Sequence, residues 1–277
     1  MRFAYATLVT NADYAMGAIA LVRSLKLTGT QADILVLHTG GVSADALRPL
    51  SELGATLVPV DLLPTSDAFN IRHARAKIHA DAPFTKGNKP AFHTPLDNFA
   101  KLRLWEMDHY DRIVFIDADA IVVRNIDRLF AYPEFSAAPN VYESLADFSR
   151  LNSGVFVAQP SRATFARMLA LLDAPDAFWP RTDQTFLQAF FPDWHGLPVF
   201  DNLLQYVWFN LPDLWDWNSV RVIHFQYEKP WEANHPKAAK LKPLIELWRA
   251  YFEGEDIPDL ATLRAPGEGE FSGCPEQ

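Results

Sequence analysis

Cysteine is all but missing from this chain. Cys274 is the only one in 277 residues, so no intrachain disulfide can form and a secreted, disulfide-framed protein has no support. A cytoplasmic location is the default expectation. Long apolar runs are missing too. The longest early one, Ala15 to Val22, has eight residues, whereas a membrane span takes about 20, so no spanning helix is expected. Positive charge is in deficit: 25 Lys and Arg stand against 34 Asp and Glu, a net charge of −9, which argues against a nucleic-acid surface. Seven of the acids follow Phe252 with Arg264 as their one base, so this stretch carries −6 and the rest only −3. Residues 253–277 therefore read as an acidic, flexible tail on a nearly neutral single domain spanning 1–252. Neither G-x-G-x-x-G nor G-x-x-x-x-G-K-[ST] occurs, which removes a dinucleotide fingerprint and a P-loop.

What is present is an alternation of strands and helices. Phe3 to Val9 reads as a strand, and Asn11 or Asp13 in the polar turn after it can cap a helix over Tyr14 to Lys26. Ile34 to Leu37 is a second strand, Ser43 to Leu53 a helix and Ala55 to Val60 a third strand. A β-α-β-α-β half with right-handed crossovers predicts an α/β, Rossmann-like fold with a mostly parallel sheet and flanking helices. With no glycine-rich turn, a ligand beyond strand one has to be met by Thr10, Asn11 and backbone groups.

The stretch Tyr110 to Phe130 organises the rest. Ile113 to Ile116 is apolar without alternation, as suits a strand covered on both faces. Asp117 and Asp119 stand where it ends, and a second apolar run, Ile121 to Val123, follows at once. Carboxylates at i and i+2 can turn toward one hard cation while Ala118 leaves room for an approaching group. A pair of solvated loop acids has equal standing at this level.

Between Leu62 and His93 the periodicity fades. Arg72, Arg75, Lys77, Lys86 and Lys89 face only Asp67 and Asp81, with His73, His79 and His93 interspersed. Residues 67–95 read either as a flexible basic lid over an anionic ligand or as a solvated insertion, and the histidine spacing fits no metal pattern. Thr94 then caps a helix with Pro95 at its first position and Phe99, Leu102 and Trp105 inward; Lys101 falls off that face, where a solvated lysine belongs. Asn152-Ser153-Gly154 reads as a turn before a strand at Val155 to Ala158, with side chains suited to sugar hydroxyls or simply to turning. Ser161 to Leu172 is helical. Thr182 caps a further helix with Asp183 and Gln184 in its first turn, where the helix dipole alone favours an acid. Tyr206 to Trp217 is aromatic, as core or as an acceptor wall. His224, near the end of a strand at Val220 to Phe225, is a core residue or a ligand.

Five stretches in order, TLVTNADYAMGAIALVRSLK, FAKLRLWEMDHYDRIVFIDADAIVVRNIDRLF, LNSGVFVAQPS, TDQTFL and VIHFQYEKPW, resemble the successive blocks of glycosyltransferase family 8, the family of glycogenin and plant galactinol synthase. They span about Tyr5 to Trp231. The resemblance implies a GT-A fold and a retaining transferase that moves glucose or galactose from a UDP-hexose, with Mn²⁺ or Mg²⁺ bound. Asp117, Asp119 and His224 would be the metal ligands. Leu8, Thr10, Asn11 and Tyr14 would meet uridine, Lys101 and Lys229 the diphosphate or sugar, with Ala118 also among the donor-binding residues. Asn152, Ser153, Asp183 and Gln184 would hold the hexose, with Asp183, Gln184 and Lys101 closest to the chemistry. Two carboxylates, an imidazole and two phosphate oxygens make a shell suited to Mn²⁺. The segment from Asn202 through Trp208 to PLIELWRAYFEGED looks closer to galactinol synthase, so a small polyol or saccharide acceptor is expected, with a homodimer admitted. Trp208 stands where glycogenin carries its self-glucosylated tyrosine and offers, with Trp215, Trp217 and Trp231, an apolar face for a sugar ring. Tyr206 keeps a self-glucosylating primer as an alternative; a sugar-nucleotide hydrolase and a binding module are the others.

Overall fold

The computed structural model describes residues 1–81, 91–174, 176–179 and 181–264; Lys86, Lys89, Cys274 and the acids from Glu268 onward lie outside them. In chain order, β1 (Phe3–Val9), α1 (Ala12–Leu27), β2 (Asp33–His38), α2 (Ala44–Glu52) and β3 (Thr56–Pro59) form the expected alternating half. Asn11 caps α1, its Oδ1 accepting from Tyr14 N at 3.1 Å, and Ser43 caps α2 in the same way. After β3 come α3 (Asp67–His73), α4 (Arg75–Asp81) and a 3₁₀ helix over Asp97–Glu106. β4 (Arg112–Ile116), β5 (Ala120–Val122), β6 (Ser136–Pro139), β7 (Leu151–Ala158), α5 (Arg162–Leu172) and α6 (Asp183–Phe190) follow. The chain then runs through β8 (His195–Gly196), β9 (Leu203–Leu204), α7 (Val207–Asn210), β10 (Val222–His224) and α8 (Ala238–Glu253).

Among the described residues, seven strands make the main sheet in the order β3-β2-β1-β4-β7-β6-β8. Every pair is parallel except those that β7 makes with β4 and β6. β5, β10 and β9 form a small second sheet. Both faces of β1 and β4 are covered, which is why they lack polar alternation. Ala4, Ala6, Leu8, Ile113 and Phe115 face a core shared with Trp105, Phe165 and Phe186, while Tyr5, Val114 and Ile116 face Leu21 and Leu25 of α1. No helix among the described residues is long and apolar enough to cross a membrane.

Three local expectations are corrected. The aperiodic stretch after Leu62 holds two helices, α3 and α4, ahead of residues 82–90, the part of the expected lid that lies outside the described residues: Ser66 caps α3, and Phe69 and His73, one turn apart, bury a face against Phe99 and Phe178. Thr94 does not cap the next helix, because its hydroxyl bonds Thr10 Oγ1 at 2.9 Å, and the helix begins later as 3₁₀. Asn152-Ser153-Gly154 is no turn but the buried start of β7. Beyond α8, the first part of the acidic segment is docked: Ile257, Leu260 and Leu263 pack on the core around Trp217, whose Nε1 donates to Leu263 O at 3.1 Å.

Candidate active site

The end of β4 builds the site. Asp117 N continues the ladder by donating to Gly154 O at 2.8 Å, and Ala120 N closes a tight turn onto Asp117 O at 3.1 Å, reversing the chain into β5. β5 pairs antiparallel with β10, Ala120 lying opposite His224, and Phe225 N donates to Asp119 O at 2.8 Å. This register sets an imidazole beside two carboxylates over a hundred residues earlier in the chain. Ligand atoms of Asp117, Asp119 and His224 lie within 4.8 Å of one another. His224 Nε2 stands 3.3 Å from Asp119 Oδ1 and 4.0 Å from Asp117 Oδ2.

Two close approaches permit this geometry. A Cβ on Gly17 would come within 2.4 Å of Ala118 O, so only glycine lets α1 lie against the Asp117–Asp119 turn. A Cβ on Gly154 would sit 2.3 Å from His224 Cε1. Behind the imidazole lies a buried chain of amides: His224 Nδ1 meets Asn202 Oδ1 at 2.9 Å, Asn202 Nδ2 donates to Asn152 Oδ1 at 2.8 Å, and Asn152 Nδ2 to Asn140 Oδ1 at 2.9 Å.

Two buried ammonium groups flank the acids. Lys101 lies on the 3₁₀ helix, where three residues per turn line it up with Leu104. The helix is covered nearly all round, so Lys101 is 2% exposed rather than solvated as expected. Its Nζ sits 3.0 Å from Asp117 Oδ1 and 2.8 Å from Asp183 Oδ2. Lys229 is fully buried. The loop before it doubles back through Tyr227 in the left-handed region, φ 71°, and Lys229 Nζ pairs with Asp119 Oδ2 while donating to Phe225 O at 2.9 Å. Glu228, bonded by Tyr206 OH at 2.7 Å and by Lys237 Nζ at 2.7 Å, anchors that loop.

These charges split the two acids. Burial works to raise both carboxyls. At Asp119 the Lys229 ammonium and His224 outweigh it and hold the group well below the usual carboxylate range. At Asp117 burial prevails over Lys101, aided by the Asp119 charge, and the carboxyl is raised. Lys101, which burial alone would lower, is raised by Asp117 and Asp183. The Tyr14 phenol is pushed well above its ordinary value by burial and then by Asp119 and Asp117. With Asp119 firmly ionised and Asp117 ionisable beside an imidazole, the donor set suits a Mn²⁺- or Mg²⁺-class cation far better than a thiolate-seeking metal.

A narrow cleft opens onto these groups, lined by Leu8, Thr10 and Tyr14 and by Lys101, Asp117, Ala118, Asp119 and His224. Asn11 is spent on capping α1 and on Phe92 O, to which its Nδ2 donates at 3.0 Å. Thr182 caps α6 as expected. Ser153 Oγ donates to Asp183 Oδ2 at 3.0 Å and Ser153 N to Gln184 Oε1 at 3.2 Å, so the polar start of β7 and the first turn of α6 form one wall. His93, Asn98 and Gln226 also line the cleft. Sequence reasoning missed these and Asn202: single polar residues in a loop or apolar segment carry no local signal, save that Asn98 lies one 3₁₀ turn before Lys101. The aromatic wall expected for an acceptor is corrected at Trp208. That indole is buried, donates to Lys240 O at 3.1 Å and packs edge-on against Trp215 and Trp217 in the core. Trp231 is the one of the four near the cleft, edge-on to Tyr14.

A family model described as glycosyl transferase family 8 matches residues 6–147. The putative UDP-glucuronate:xylan alpha-glucuronosyltransferase 5 of Arabidopsis thaliana is 33% identical over 239 residues, covering 83% of this chain and 36% of that protein. Glycogenin-1 of Homo sapiens is 34% identical over 249 residues, covering 86% of this chain and 65% of its own length. The chain thus spans about a third of the plant relatives it matches. Among solved structures, the galactosyltransferase LgtC in complex with donor and acceptor sugar analogues superposes with a TM-score of 0.59 at 13% identity, covering 93% of this chain and 98% of that one. The glycosyltransferase GlyE of Streptococcus pneumoniae TIGR4 reaches a TM-score of 0.63 at 16% identity, covering 91% of this chain and 61% of that one. At such identities the two structures speak for the fold.

Proposed function

The chain belongs to glycosyltransferase family 8, and from that premise we propose that it is a metal-dependent, retaining hexosyltransferase carrying a sugar from a UDP-hexose to the hydroxyl of a small polyol or saccharide. The observation that carries this reading is that Asp117, Asp119, His224 and Lys101 line one cleft, with Lys229 and Asp183 paired to them from buried positions behind. Asp117, Asp119 and His224 hold a divalent cation such as Mn²⁺, which neutralises the diphosphate leaving group when bound. Thr10 and Tyr14, with the apolar Leu8, receive the uridine end of the donor. Lys229, freed from Asp119, adds a positive charge to the diphosphate oxygens. Ser153 and Gln184 take sugar hydroxyls, while Asn152, its amide engaged by Gly154, Asn202 and Asn140, stands behind them.

Asp183 serves the anomeric centre, and its hydrogen-bond partners support one role for it over another. One of its oxygens already accepts from both Lys101 Nζ and Ser153 Oγ, so its electron density is shared with two donors. Such a carboxylate orients the sugar and steadies positive charge better than it attacks carbon. Retention then proceeds by front-side attack, the acceptor hydroxyl approaching on the leaving-group face.

The acceptor is a separate molecule. Tyr206 OH is buried and donates to Glu228, which removes it from attack on a sugar, and Trp208 has no hydroxyl.

The test is a UDP-release assay with Mn²⁺, using UDP-glucose, UDP-galactose and UDP-glucuronate against a panel of polyols and saccharides. The third donor enters because the plant relatives are named for it. Acceptor-dependent release with one donor is the expected result. Release indifferent to any acceptor would make the protein a hydrolase, and none with any pair would reduce it to a binding module. A hexose ladder on the intact protein mass would restore the self-modifying alternative.

A further inference from the structure

We infer that Asn202 is a positioning residue for the metal site: a one-way relay from the Gly154 backbone amide through Asn152 and Asn202 commits His224 to protonation at Nδ1, leaving Nε2 as the ligand atom. The inference rests on the metal-binding reading above and deepens it.

The direction of the relay follows from its first member. A backbone N–H can only donate, and Gly154 N bonds Asn152 Oδ1 at 2.9 Å. That fixes which end of the Asn152 amide is oxygen. The same oxygen is 2.8 Å from Asn202, which must offer it the amino group, Nδ2. The other end of Asn152 is then its amino group, and it donates to Asn140 Oδ1 at 2.9 Å, a consistent outcome on the far side. With its amino group spent, Asn202 turns Oδ1 to His224 Nδ1, 2.9 Å away. An oxygen acceptor there requires a proton on Nδ1.

Burial makes the relay binding on the ring. Asn202, Asn152, Asn140 and His224 are 0%, 1%, 4% and 2% exposed. Reversing any one amide would set two donors or two acceptors face to face, leaving buried polar groups without the partners they need. Gly154 contributes twice, since its missing side chain also leaves the imidazole its place. Outer partners of this kind fix the tautomer and orientation of a ligating histidine. Here the partner is a neutral amide rather than the commoner carboxylate, so it orients the ring without adding charge to a site that already holds two acids.

Two measurements test this. The first is ¹⁵N NMR of the wild-type full chain labelled on histidine, with UDP and saturating Mg²⁺. His224 is expected to carry its proton on Nδ1 with Nε2 bare; a proton on Nε2, alone or together with Nδ1, overturns the inference whatever any variant does. The second is Mn²⁺ affinity without donor sugar, read from the free-Mn²⁺ electron paramagnetic resonance signal. Asn202→Leu should weaken binding at least about tenfold, on the scale of lost outer partners. Wild-type affinity in Asn202→Leu overturns the relay alone; absence of Mn²⁺ binding in the wild type overturns the metal reading and the relay with it.

Discussion

Lys101 is the side chain whose removal separates an energetic centre from a merely crowded one. Its ammonium is buried between Asp117 and Asp183, at 3.0 and 2.8 Å. Lys101→Met keeps most of the volume, so packing changes little. It leaves two carboxylates facing each other without their cation. Removing one partner of a buried pair costs about 3–5 kcal/mol, and because the Asp117 side chain keeps 30% exposure, the lower end, about 3 kcal/mol, is expected. For a chain of this size each kcal/mol moves the melting point by about 2–4 °C, so the variant should melt about 6–12 °C below wild type in EDTA at pH 8. The deficit should shrink as pH falls. The Asp117 carboxyl, already raised by burial, rises further without the Lys101 ammonium, so the native state binds more protons than the unfolded one and stability increases toward pH 5. Asp183→Asn in the same chain should recover at least about 1 kcal/mol, a non-additivity expected of residues in contact. Differential scanning fluorimetry of wild type, Lys101→Met, Asp183→Asn and the double variant at pH 5 and pH 8 reads all of this. A Lys101→Met protein melting within a degree of wild type at pH 8 would refute the reasoning, since the ammonium would then not be compensating the acids.

Asp119→Asn should weaken Mn²⁺ binding and cut UDP release at least about tenfold, and wild-type activity should vanish in EDTA and return with Mn²⁺; undiminished turnover in EDTA would end the metal reading. Gly154→Ala forces a Cβ against the His224 ring and should cost about 1–3 kcal/mol of stability, the usual penalty of overpacking, together with a loss of Mn²⁺ affinity; a variant with wild-type melting and affinity would show that the ring has slack. Tyr206→Phe should leave the transferred sugar on the small acceptor and the intact protein mass unchanged, and a hexose adduct present in wild type but lost in this variant would contradict a separate acceptor.

Much of the scaffold was legible in order. β1, α1, β2, α2 and β3 each announce themselves over a few neighbouring residues, through unbroken apolar runs, the Asn11 and Ser43 caps and short polar turns. Placing Asp117 and Asp119 at the end of a covered strand is also local, because a run such as Ile113 to Ile116 can tolerate carboxylates only where it stops. The tertiary structure decided what those acids meet. His224 reaches them through the β5–β10 register, and Asn202 reaches His224 from the segment leading into β9; no spacing in the chain encodes either contact. Lys101 looked solvated because helix-face counting assumes the other faces are free, whereas its 3₁₀ helix is covered nearly all round. Trp208 looked available because an indole is read as core or as platform from the same letters, and only the packing of Trp215, Trp217 and α8 around it made it core. Local sequence sets backbone preference and the supply of functional groups; which buried charges share a space depends on strand register and on side chains arriving from distant segments.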